Sequence, residues 1–230
     1  MNKNLDFSVN YIEKGERMLE YNKLESKHFR DVILRVVPGH FVTPNSHTNY
    51  LMDMTAIMRR QAEAQAVASA MCEFFGSSTS VDTICCLEGM EVVGAYLANE
   101  LTRAGNISKN AHKTLYIISP EYGINGQMIF RENMDMMLVN KNVLLILVTA
   151  TTGKTIANAA ETLNHYGAKV VGISAIFSAC TAIDGFPIHS IFDQSDLPGY
   201  RSWKSHDCKL CKQGMKVTAI CNGFGYSQLR

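Results

Sequence analysis

Through the middle of the chain, short apolar blocks alternate with polar turns. Ile57, Ala64, Ala68, Met71 and Phe75 share one face at helical spacing. Thr55 is the expected N-cap of that helix and Gly76 its stop. Residues 81–87, Val-Asp-Thr-Ile-Cys-Cys-Leu, are short and rich in strand formers, and Glu88-Gly89 turns the chain. Helical spacing returns over 92–101 and ends near Gly105, and a strand follows at 114–118. Residues 120–127, with Gly123 and Gly126, predict a loop. Residues 143–148 are wholly apolar, the pattern of a strand buried on both faces. Ile156, Ala160, Leu163 and Tyr166 predict a helix face, Gly167 marks its end, and 169–174 is the next strand.

Outside this stretch the pattern weakens. Residues before about Val37 are charged and helix-leaning, and Pro38-Gly39 breaks them. His40 to Asp53 is polar and turn-rich, and from Gly199 the chain reads as an irregular tail. The expected organisation is an N-terminal helical segment (1–38), an α/β core (39–198) and a C-terminal tail (199–230). Strands alternating with helices predict a parallel sheet with helices on both faces. Right-handed crossovers bring the loops after the strands to one edge, where such sheets bind ligands.

Composition narrows the partners. The chain has 230 residues, 47% of them hydrophobic, and a net charge of +1 from 22 basic and 21 acidic residues. That supports one sizeable core. No global field recruits nucleic acid or an anionic membrane, and no apolar run is long enough to span a bilayer. The polar N-terminus lacks an export signal, so a cytoplasmic protein is expected. Seven cysteines, an odd number, argue against a disulfide framework. Cys85 and Cys86 read as buried thiols.

The chemistry concentrates after the apolar strand, in Thr151, Thr152, Gly153, Lys154 and Thr155. A strand, a tight Thr/Gly loop and a helix start can cradle a phosphate, because the first N–H groups of a helix point outward with partial positive charge. The three hydroxyls add donors, Gly153 permits close approach, and Lys154 adds a charge. A Walker A loop is set aside, since Val148 stands where its first glycine belongs. An ordinary strand-to-helix turn with a threonine cap fits the spacing equally well.

Residues 143–173 resemble the phosphoribosyl-pyrophosphate motif of the type I phosphoribosyltransferases: an apolar strand, two acidic residues, two more residues, then Thr-Thr-Gly and a helix. Further segments resemble the orotate phosphoribosyltransferase branch. They are Gly39-His-Phe-Val42 with Ser46-His-Thr-Asn-Tyr50, Ile188-His-Ser-Ile191, and Tyr200 followed by Asp207-Cys-Lys-Leu-Cys-Lys-Gln-Gly214. The resemblance implies transfer of a phosphoribosyl group to a pyrimidine-like base with Mg²⁺, in a homodimer. It places the 5′-phosphate on the 151–155 loop, the pyrophosphate beside Glu88 and Gly89, and the base near His47 and Tyr50.

Two parts of that pattern are missing. The acidic pair that holds the ribose hydroxyls falls on Leu147 and Val148, which accept no hydrogen bond. The hood loop that neutralises pyrophosphate falls on 119–127, which holds Glu121 and no basic residue; Arg131 lies just beyond. These departures support an alternative, a catalytically inactive or repurposed homologue that binds a nucleotide or sugar phosphate. Glu88 and Glu91 suit Mg²⁺ or a helix N-terminus better than direct phosphate contact. In the tail, Cys208-x-x-Cys211 supplies two of a zinc site's four ligands, with His206 and Cys221 as local candidates to complete it. Free thiols are the preferred reading of that pair.

Overall fold

The structure is a computed structural model and describes residues 19–75, 77–103, 109–111, 113–222 and 225–229. Gly76, Gly105 and the first 18 residues, which carry three of the expectations above, lie outside it. The chain runs through β1 (Asn22–Glu25), β2 (Ile33–Val42), β3 (His47–Asp53), α1 (Thr55–Arg59) and α2 (Gln61–Phe75). It continues through β4 (Thr83–Cys86), α3 (Glu91–Thr102), β5 (Tyr116–Ile118), β6 (Glu121–Tyr122), β7 (Met128–Ile129) and α4 (Asp135–Leu138). Then come β8 (Asn142–Ala150), α5 (Lys154–His165), β9 (Lys169–Ser178), β10 (Ala182–Ile183) and β11 (Phe186–Asp193). The tail adds β12 (Ser202–Trp203), α6 (Lys209–Lys212), β13 (Ala219–Asn222) and β14 (Gly225–Gln228).

The central sheet has the order β10-β11-β9-β8-β4-β5. All its pairings are parallel except the β10–β11 hairpin at one edge. The register of β8 explains its unbroken apolar run. Val143, Leu145 and Leu147 enter the core on one face, with Ile156 and Leu163 of α5. Leu144, Ile146 and Val148 enter the other, with Met71 of α2 and Val93 and Leu97 of α3. Side chains alternate along a strand, so a strand covered by helices on both faces needs apolar residues at every step. Cys85 and Cys86 of β4 divide between the two cores in the same way.

A second sheet, which the sequence pattern did not predict, covers one side of this core. Its order is β12-β3-β2-β13-β14, with β1 paired to β2. The expected helical segment before residue 38 is therefore strand wherever it is described as regular, and the expected irregular tail contributes three strands. Pro38-Gly39 does not end an element; it lies within β2, at an irregularity in pairing with β3 between Pro38 and Phe41. A bulge is one of the few places a strand tolerates proline. Leu34 and Val36 of β2 and Tyr50 of β3 join the α2/α3 core, so both sheets share it. Arg35 of β2 grips Glu63 of α2 through two hydrogen bonds of 2.9 and 3.1 Å.

The long helix expected from Thr55 is split at Arg60, whose backbone is extended (φ −93°, ψ 126°). Thr55 does not cap it; the Thr55 N–H donates to Asp53 Oδ1 at 2.9 Å. The apolar face is as expected, with Ile57, Ala64, Ala68, Met71 and Phe75 all buried. Among the described residues no helix is long and apolar enough to cross a membrane.

Candidate functional site

The parallel strands lie in the spatial order β5-β4-β8-β9-β11, so the second strand in the chain sits outside the first and the third lies on the first's other side. Ligands in such sheets bind beyond the carboxyl ends of the strands where the order reverses, here between β4 and β8. A cleft of about 950 Å³ opens at that point, lined by both sheets. β4 leads into the Glu88-Gly89 turn, both residues at positive φ (57° and 85°). β8 leads into Thr151, Thr152 and Gly153, and then α5.

β8 stays paired to β9 through Ala150, so the open loop is shorter than the sequence suggested. Gly153 is the N-cap of α5 at φ 73°, and no side chain caps the helix. The Ala157 N–H donates to the Gly153 carbonyl at 2.9 Å. The N–H groups of Lys154, Thr155 and Ile156 precede that bond and have no intrahelical acceptor. Thr151, Thr152, Gly153, Lys154 and Thr155 all line the cleft, with Thr152 and Lys154 exposed. The far side of Gly153 is closed: a Cβ there would sit 1.3 Å from Ile183 Cδ1. The loop therefore offers its open face to the cleft and its back to the β10–β11 hairpin.

Leu147 and Val148 lie inside the paired strand, 0% and 2% exposed. Their side chains join opposite cores, although both residues also border the cleft. The Glu88 carboxylate reaches across from β4 to the place of the missing pair. The Val148 N–H donates to Glu88 Oε2 at 3.3 Å. Burial pushes the Glu88 carboxyl up, while the N–H groups of Thr149 and Val148 act in the opposite direction. No sequence signal identified this contact, because it joins residues 60 apart across two strands.

The 120–127 loop is a hairpin of β6 and β7 with Gly126 at φ 73°. Arg131, the nearest basic residue, is held by Glu121: its Nε donates to Glu121 Oε2 at 3.0 Å. That bond and the ion pair lower the Glu121 carboxyl and raise the Arg131 guanidinium. Arg131 thus neutralises the acidic residue of its own hairpin.

Of the two residues expected at the base, the structure brings only Tyr50 to the cleft. His47 is not among the lining residues. Its Nδ1 lies 3.1 Å from His40 Nε2 and 3.3 Å from Cys211 Sγ, away from the 151–155 loop. Burial and the neighbouring His40 lower the His47 imidazole. Tyr200 is buried beside the cleft, edge-on to Phe177 at 5.1 Å. His206, expected near the cysteines, instead pairs with Asp207 at the surface, 3.0 Å away. Cys221 is buried beside the cleft and stands apart from Cys208 and Cys211.

No family model matches the sequence, and no curated protein matches it. Solved structures do. A phosphoribosyltransferase from Corynebacterium diphtheriae aligns over 70% of this chain and 90% of its own at a TM-score of 0.50 and 18% identity. The orotate phosphoribosyltransferase of Mycobacterium tuberculosis, solved with Fe(III) dicitrate, aligns over 72% of this chain and 93% of its own at 0.50 and 16%. The chain has the type I phosphoribosyltransferase fold. A UMP synthase from Leishmania donovani gives a TM-score of 0.52 at 17% identity, over 71% of this chain and 34% of that larger one. In this phosphoribosyltransferase fold the α5 N-terminus and the Glu88 turn flank the same cleft, while both positions of the acidic pair are built into the sheet.

Proposed function

We propose that the cleft binds a phosphoribosyl ligand, a nucleoside monophosphate or a ribose-5-phosphate ester, by its phosphate at Thr151, Thr152, Gly153, Lys154 and Thr155. The observation that carries this is the α5 N-terminus, uncapped by any side chain and opening on the cleft at the switch point of the sheet. Free N–H groups, the helix dipole and Lys154 all favour a dianionic group there. Glu88 bonds the amides of Val148 and Thr149, at the end of β8 just before the cradle, and leaves the α5 amides open.

Transfer of the phosphoribosyl group to a pyrimidine-like base is the second reading. The volume of the cleft favours it, since about 950 Å³ accommodates a base beside a ribose phosphate, with Tyr50 among the lining residues. Glu88 is engaged by backbone amides, and among the described residues the acidic side chains lining the cleft, Asp53, Glu88 and Glu161, do not gather into a group that could hold a metal ion. A Mg²⁺ ion in this reading arrives on the ligand's own phosphates.

Thermal shift and calorimetry with uridine and uridine monophosphate test the first reading. The monophosphate is expected to raise Tm with concentration and the nucleoside is not. Lys154→Ala should weaken monophosphate binding about tenfold, or about 1.4 kcal/mol. Equal responses to nucleoside and nucleotide, or none to either, would overturn it. Incubation with phosphoribosyl pyrophosphate, Mg²⁺ and orotate, uracil or purines tests the second. Pyrophosphate release with one base supports transfer, and binding without release restricts the function to the ligand.

A further inference from the structure

A second constellation lies away from the loop that cradles phosphate. Among the described residues, His40, His47, Cys208 and Cys211 are the group of potential metal ligands whose donor atoms all fall within 4.8 Å of one another. The backbone assembles them from two distant parts of the chain. β2 and β3 pair with Val42 opposite His47, which puts His40 two positions back and diagonal to His47 on the same face. β12 then pairs with β3, with Trp203 opposite His47. The chain turns immediately afterwards, and Cys208 arrives over the two imidazoles, followed by Cys211 within α6. His40 and Cys208 are both fully buried.

Four of the six donor pairs have the spacing of a tetrahedral site. Zinc bonds of about 2.3 Å to sulfur and about 2.0–2.1 Å to nitrogen place a nitrogen and a sulfur about 3.6 Å apart, and two nitrogens about 3.3 Å apart. Here His40 Nε2 lies 3.6 Å from Cys208 Sγ and 3.6 Å from Cys211 Sγ. His47 Nδ1 lies 3.3 Å from Cys211 Sγ and 3.1 Å from His40 Nε2. The outer contacts agree. His40 Nδ1 donates to the Met215 carbonyl at 2.8 Å, which fixes the proton on Nδ1 and leaves the Nε2 lone pair facing the cluster. A ligating histidine is ordinarily oriented by such a bond on its other nitrogen.

We infer that His40, His47, Cys208 and Cys211 form a structural Cys₂His₂ zinc site that fastens the C-terminal tail to the β2–β3 hairpin. Four protein ligands close the coordination sphere, so the ion holds no substrate and activates no water. Its role is mechanical. The β2–β3 turn and Tyr50 line the ligand cleft, and the clasp ties that wall to the α6 turn. Zinc is favoured over a Cys208–Cys211 redox pair because the two imidazoles approach the sulfurs from within the sheet, and a dithiol requires neither. The sequence suggested His206 as a third ligand; its side chain is 74% exposed and paired with Asp207, outside the cluster.

The test uses the full chain purified under reducing conditions without added chelator. Elemental analysis should give one zinc per chain. Replacement with Co²⁺ should give the visible absorption of a tetrahedral site, with thiolate-to-cobalt bands in the near ultraviolet. Cys211→Ser and His47→Ala, both nearer the surface than Cys208 and His40, should lose the bound metal at least tenfold, whereas His206→Ala should keep it. Chelation of the wild type should lower Tm, and readdition of zinc should restore it. Substoichiometric metal after incubation with zinc would overturn the inference. So would full retention in Cys211→Ser or loss in His206→Ala. A metal-free protein that forms a Cys208–Cys211 disulfide would place the pair in redox chemistry instead. None of these readouts depends on what the cleft binds.

Discussion

Gly153 shows how much of the site rests on one residue. The Thr-Thr-Gly sequence made a positive φ legible, and the structure has it at 73°. What the sequence hid is Ile183, whose Cδ1 fills the space a side chain would need. The contact joins the start of α5 to the hairpin after β9, a pairing that local pattern does not encode. Gly153→Ala therefore has two costs: the left-handed backbone, about 1–2 kcal/mol for a residue with a Cβ, and displacement of Ile183. Urea denaturation should show both, and Ile183→Ala introduced beside Gly153→Ala should recover only the packing part. Full recovery in the double variant would mean that the backbone at 153 relaxes without strain. The same kind of blindness misplaced His47. Its position beside Tyr50 in the sequence suggested a shared pocket, but the two stand three residues apart on a strand, and alternation sends them to opposite faces.

At the scale of elements, the central strands were legible because burial on both faces leaves a continuous apolar run, which 143–148 displays. The second sheet was not. β1 and β2 carry Lys23, Glu25 and Arg35 among their apolar residues, and Pro38-Gly39 sits inside β2 at a bulge, so the local signals suggested a charged segment with a break. The tail strands are four residues or fewer, too short to show a period. The missing acidic pair also belongs at this scale. Leu147 and Val148 are part of the double-sided packing of β8, one residue to each core. Restoring acids there should not restore ribose binding. Leu147→Asp or Val148→Asp would bury an unpaired carboxylate, and Val148→Asp would also put a second negative charge on the residue whose amide already bonds the Glu88 carboxylate. Each should cost about 3 kcal/mol or more, read by chemical denaturation, with no gain in affinity for phosphoribosyl pyrophosphate. A stable Val148→Asp variant with tighter binding would show that the strand end opens to receive the sugar.

For the whole molecule, the two cores and the second sheet hold several protons that the same groups, exposed, would release at alkaline pH. Burial pushes the Cys85 thiol up to about 12 and the Tyr200 phenol up to about 12, and the Cys221 thiol up to about 11. Burial raises the Cys86 thiol as well. Such a group binds its proton more tightly folded than unfolded. Its contribution is complete below the unfolded value, near 9 for a thiol and near 10 for the phenol, and is lost as pH rises toward the folded value. Within that window each group removes about 1.4 kcal/mol of stability per pH unit. These residues lie in both cores and within the second sheet, so the loss belongs to global unfolding and not to one loop. Urea midpoints should hold steady from pH 7 to pH 8.5 and then fall ever more steeply to pH 10.5. Cys85→Ala should lower the neutral-pH stability and flatten the alkaline slope by one proton. An alkaline slope identical in Cys85→Ala and wild type would mean that water reaches this thiol in the native state, and that the central sheet is less tightly closed than the burial of Cys85 indicates.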